Sequence, residues 1–156
     1  MARISEIMLL QQVEQPVLEI TTKTNLQGIA EAIGSGFMKI GQYMDELGET
    51  LTDVPYVSYP SYESMNENDI TIVVGFKTAR PLPAKDEIKS THLPPRKIVL
   101  ALYMGTYEEM VPFYAELAAW IKEKGYSQNG DTYEYFYTGP EIPETKHVTR
   151  VELPLK

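Results

Sequence analysis

Two stretches of the chain carry apolar residues at intervals of three and four. Leu26, Ile29, Ile33, Phe37, Ile40 and Met44 form one such stripe, and the spacing predicts a helix over about Leu26 to Leu47. Thr24 and Gln27 have capping-box spacing, and Gly48 is a natural stop. Met110, Phe113, Tyr114, Leu117, Trp120 and Ile121 form the second stripe, predicting a helix over about Tyr107 to Lys124 with Thr106 and Glu109 as its capping box. Pro112 removes a backbone hydrogen bond once past a first turn, so this helix is expected to begin later than Thr106. The glycines of Gly34-Ser35-Gly36 weaken the first helix, and close approach of another backbone or of a ligand would justify them.

Elsewhere the pattern alternates, with β-branched and aromatic residues. It predicts strands at about Val17–Lys23, Tyr56–Tyr59, Asp69–Lys77, Arg96–Met104, Thr132–Tyr137 and Val148–Leu153. Ile88 suggests a short additional strand ahead of Pro94 and Pro95. The proline-bearing run from Ala79 to Lys85 divides the chain, and each side reads strand–helix–strand–strand. The fold class is therefore α+β. Two pseudo-repeats, about 1–80 and 84–156, build one antiparallel sheet with both helices on one face, within a single domain spanning 1–156.

Composition narrows the functional classes. At 156 residues and 43% apolar content the chain suits one packed domain. It has no cysteine, which excludes disulfides, thiolate catalysis and cysteine-based zinc sites. A net charge of −8 with scattered basic residues argues against direct nucleic-acid binding. No run is apolar enough to span a bilayer and no signal-peptide core opens the chain, so a cytoplasmic location is expected. His92 and His147 stand apart from any metal-ligand pattern, and neither a metal nor a cofactor is expected.

With both helices on one face, the other face of the sheet should be polar along each strand. Lys97–Met104 is apolar on both faces, however, and Thr132–Tyr137 is aromatic on both. A second aromatic face, in a chain with 11 tyrosines, predicts either a ligand groove or an interface with another protein. Glu134 lies within that aromatic strand, on the face shared by Thr132 and Phe136. A carboxylate among rings is costly unless paired or protonated, and an organic cation would supply the opposite charge together with cation–π contacts. The competing reading is a solvent-facing glutamate on an edge strand, or one paired with Arg150.

The run Glu134-Tyr135-Phe136-Tyr137-Thr138-Gly139-Pro140, followed by Thr149-Arg150-Val151-Glu152-Leu153-Pro154, resembles the C-terminal signature of the GyrI-like small-molecule-binding domain family. Gly105–Met110, Trp120-Ile121 and Gly125 resemble that family's second helix and its flanks. The resemblance implies a pseudo-twofold domain with a central groove, as in the effector-binding portions of multidrug-sensing transcription regulators. There a groove glutamate contacts cationic, aromatic drugs, and Glu134 holds the matching position. Phe136 stands where a tyrosine is usual, and Arg150 where a glutamate is common. No helix-turn-helix is expected ahead of the first strand, so the implied protein is a stand-alone member.

Three functions follow as expectations. The first is binding of an aromatic, cationic ligand by Glu134, with Phe37, Tyr56, Tyr103, Tyr114, Trp120 and Phe136 as flat contacts; ordinary core packing already explains Phe37, Tyr114 and Trp120. The second is hydrolysis of reactive cyclopropane-type compounds, with Glu134 directing water and Tyr103 or Tyr135 orienting it. The third is a module that masks a protein partner through an exposed aromatic face.

Overall fold

A computed structural model describes residues 3–60 and 66–156. In chain order the elements are β1 (Met8–Gln12), β2 (Gln15–Thr24), α1 (Ile29–Leu47), β3 (Tyr56–Tyr59), β4 (Ile70–Lys77), β5 (Lys89–Leu93), β6 (Arg96–Met104), α2 (Val111–Glu123), β7 (Thr132–Phe136) and β8 (Val148–Pro154). All strands belong to one antiparallel sheet in the order β1-β6-β8-β7-β3-β4-β2-β5. The two predicted repeats are its two halves: β2, α1, β3 and β4 on one side, β6, α2, β7 and β8 on the other. They meet at the β3–β7 pair. Strands β1 and β5 were not among the predicted strands, apart from the hint at Ile88. Both are short edge strands, largely exposed, and lack the alternation that marks the others.

Each helix packs its apolar stripe on its own half of one sheet face. Ile40 and Met44 of α1 join Leu18, Ile72 and Val74, while Phe113, Leu117 and Ile121 of α2 join Val99, Ala101 and Val151. Helix α1 stops at Gly48, whose φ of 71° a residue with a side chain rarely adopts. Neither capping box forms. Gly28 precedes α1 with no side-chain cap, and Thr106 instead opens a 3₁₀ turn at Tyr107–Glu109. Helix α2 proper begins at Val111, which puts Pro112 in its first turn, where a missing N–H costs nothing.

The two glycines of α1 separate by role. A Cβ on Gly36 would lie 3.0 Å from the Val74 side chain, so this glycine lets the helix approach the sheet. A Cβ on Gly34 would meet nothing within 4 Å. Gly34→Ala is accordingly expected to raise stability by roughly 0.5–1 kcal/mol through helix propensity alone. Gly36→Ala should give no such gain, and urea denaturation of the two variants side by side checks both.

On the face of the sheet without helices most rings are buried, while Tyr137, just beyond β7, stays exposed beside Arg150. The sheet curls, and Tyr56, Tyr133 and Tyr135 pack with Val17 and Leu93 into a third cluster of buried side chains. The aromatic face expected there is thus mostly buried. Hydrophobic content on both faces of the strands reflects the two helix-side clusters and this third one opposite.

Candidate functional site

Glu134 sits at the centre of the sheet, with Val57 of β3 directly across on one side and Val151 of β8 on the other. Its side chain points to the face that carries the helices. Glu134 therefore faces the helices and not the uncovered side, because β7 alternates with Tyr133 and Tyr135 turned away. The residue is only 8% exposed. The Tyr114 hydroxyl of α2 donates to its Oε2 at 2.5 Å, and the Tyr59 hydroxyl of β3 donates as well. Burial pushes the Glu134 carboxyl above the usual value of 4.5, and the two tyrosine hydroxyls pull it part of the way back. Among the described residues it has no ion-pair partner. Arg150, one alternative partner, lies on the opposite face.

Two residues along β7, Phe136 shares this face. Its ring meets Phe37 of α1 edge-on at 5.8 Å and Tyr107 at 6.0 Å, and Phe37 in turn meets Phe76 at 5.8 Å. The Tyr107 hydroxyl bonds to Thr149. Burial, and then the nearby Glu134 charge, push that phenol up to about 12. Tyr59 and Tyr114 thus hold the carboxylate, Tyr107 feels its charge, and the Phe37–Phe136 ring pair lies further along the same face. Cavities of about 260 and 430 Å³ border α1 elsewhere: one lies between Lys39, Glu46 and Lys85, the other between Gly41, Met44, Leu51 and Phe76. Neither is lined by Glu134.

Of the residues singled out from the sequence, Glu134, Phe136, Phe37 and Tyr114 come together. Three do not. Tyr56 projects from the other face, where its hydroxyl donates to Glu19 Oε2 at 2.6 Å. Tyr103 packs on Phe113 with its hydroxyl donating to the Thr106 carbonyl at 2.6 Å, well within the second core. Trp120 packs beside that same core with Lys124 over its ring. Tyr135, the other suggested orienter of water, is stacked under the Arg150 guanidinium at 4.0 Å on the far face. Two residues were not picked out: Tyr59 and Tyr107. Alternation puts Tyr59 on the same face as Val57, but only the pairing of β3 with β7 brings it to Glu134, and no local pattern encodes that pairing.

Behind the groove, Arg150 joins the halves. Its Nη2 lies 2.7 Å from Asp53 of the α1–β3 segment, and its Nε lies 2.9 Å from Glu152. Despite its partial burial, Asp53 stays below the ordinary carboxylate range through its hydrogen bond and ion pair with Arg150. The arginine that departs from the family pattern is thus a structural tie on the face away from Glu134.

Among the described residues no helix is long and apolar enough to cross a membrane. No curated protein sequence matches the chain. In fold the chain is similar to the C-terminal domain of EcmrR, with a TM-score of 0.80 at 18% identity, covering 97% of both chains. It is also similar to a hydrolase encoded by lin2189 from Listeria innocua, with a TM-score of 0.76 at 14% identity, covering 99% of this chain and 93% of that one. A third similar structure is SAV2435 bound to tetraphenylphosphonium, with a TM-score of 0.62 at 14% identity, covering 97% and 94%. The model of the GyrI-like small molecule binding domain matches residues 5–156. With its duplicated halves and nearly its whole length matched, the chain belongs to the GyrI-like small-molecule-binding domain family.

Proposed function

We propose that this protein binds an aromatic organic cation in the groove between α1 and α2, with Glu134 as the polar contact. The observation that carries the reading is a buried carboxylate with two tyrosine donors, flanking rings and no cationic side chain among the described residues to neutralise it. Isolated charge in an apolar site is costly. A ligand cation would remove that cost, and the surrounding rings would add cation–π attraction. The ligand takes the place of the closed ring packing, so binding is coupled to movement of Tyr114 or Phe136.

Calorimetric titration with tetraphenylphosphonium tests this. One-to-one binding is expected, and the affinity should depend on pH in a defined direction. A cation favours the ionised carboxylate, and the Glu134 pKa is raised. Affinity should therefore fall as pH is lowered into and below that raised value, and level off above it. Binding that is flat across this range would remove Glu134 from the contact.

Hydrolysis is the second reading. A carboxyl with a raised pKa and two phenol neighbours is suited to general acid–base work. Tyr114 and Tyr59, not Tyr103 or Tyr135, are then the hydroxyls placed to orient a water. Product release from an activated cyclopropane compound, lost in Glu134→Gln, decides for it; stoichiometric binding without product decides for the sensor.

A further inference from the structure

One constant shift in numbering lays α1, β3 and β4 over α2, β7 and β8, and at several core positions it matches like with like. Ile40 answers Leu117, Met44 answers Ile121 and Val74 answers Val151, all buried. In the groove the same shift pairs unlike residues. Val57 answers Glu134, Phe37 answers Tyr114, and Tyr59 answers Phe136. Tyr114, Tyr59 and Glu134 converge on one hydrogen-bonded point. Their counterparts Phe37 and Phe136 meet ring to ring at 5.8 Å, with Val57 wholly buried beside them. A site that is nearly two-fold in shape is thus one-sided in polarity.

We infer that the groove is monopolar: it accepts a flat organic ligand with a single cationic or hydrogen-bond-donating pole, and rejects a ligand of the same shape carrying a second charge at the far end. The inference rests on the proposed role of Glu134. The first pole lies against the carboxylate and the two hydroxyls. A second charge would be desolvated against the Phe37 and Phe136 rings, which themselves offer no acid or acceptor to offset the loss of water. Contact of that charge with the phenylalanine rings returns only part of the cost.

N-methyl-phenylpyridinium and methyl viologen are a matched pair, alike in outline with one and two fixed charges. Titrated into the natural protein by calorimetry or NMR shifts, the monocation is expected to bind at least about tenfold more tightly, the scale of one imperfectly compensated charge. Equal or tighter binding of methyl viologen overturns the monopolar assignment while leaving cation binding at Glu134 standing. If neither cation's affinity changes in Glu134→Gln, the reading beneath it fails as well. In a folded Val57→Glu variant the preference should shrink or reverse, and an unchanged ratio there also overturns the proposal. The natural-protein comparison decides on its own should that variant fail to fold.

Discussion

Replacing Glu134 by glutamine is expected to weaken binding of tetraphenylphosphonium by about 10²-fold while making the unliganded protein more stable at neutral pH. The two effects share one cause. Loss of a buried charge partner costs on the order of 2–5 kcal/mol of binding. In the free protein the same charge is a burden, since burial raises its pKa. A raised carboxyl pKa means that the folded state holds more protons than the unfolded state from about 4.5 up to the raised value. Native stability due to this group therefore falls as pH rises through that window, then stays level. Glutamine does not titrate and keeps an oxygen for the Tyr114 hydroxyl. The stability gap in favour of Glu134→Gln should open above pH ~4.5 and widen up to the raised value, read as a growing difference in Tm. Burial also raises Glu19 and Glu152, but both are present in either chain and cancel from the difference. A less stable variant across this range would mean that the carboxylate stabilises the fold instead.

The largest effect on stability is expected from Gly75→Ala, on the opposite face. The Tyr56 ring lies across this glycine to reach Glu19, and an added Cβ would fall 2.3 Å from its Cζ and 2.4 Å from its hydroxyl oxygen. The ring has to lift, which breaks the bond to Glu19 and leaves that mostly buried carboxylate without its hydroxyl donor. Overpacking and an unsatisfied buried group together predict a loss of roughly 2–4 kcal/mol. The cause can be isolated with a double-mutant cycle. In a Tyr56→Ala background the same alanine should cost far less, because nothing then occupies the space over position 75. Additive losses by urea denaturation would show that the ring is not the obstacle.

The sequence carried the architecture further than it carried the site. Strands at Tyr56–Tyr59 and Arg96–Met104, and the two amphipathic helices, were legible because each buries one periodic stripe. The capping boxes were misleading because their spacing recurs by chance, and here a 3₁₀ turn and a glycine take those places. Edge strands β1 and β5 escaped because a strand with little burial needs no alternation. Glu134 stood out as an acid among rings, and alternation fixed which neighbours share its face. Alternation does not tell which face receives the helices. Glu134 was therefore expected on the uncovered side, and Tyr56 was grouped with it although it points away. Tyr59 became visible only through the pairing of β3 with β7, a contact between residues far apart in the chain.

Strand β1 precedes the first half but pairs with β6 of the second, and β5 precedes the second half but pairs with β2 of the first. Each half thus lends its leading arm to the other, in the manner of two clasped forearms. Cleaving the proline-bearing link between β4 and β5 would give two fragments, each carrying an arm its counterpart lacks, so the pieces should recombine when mixed but not stand alone. The same exchange is what a homodimer of half-length chains would leave behind once a single gene joined them end to end.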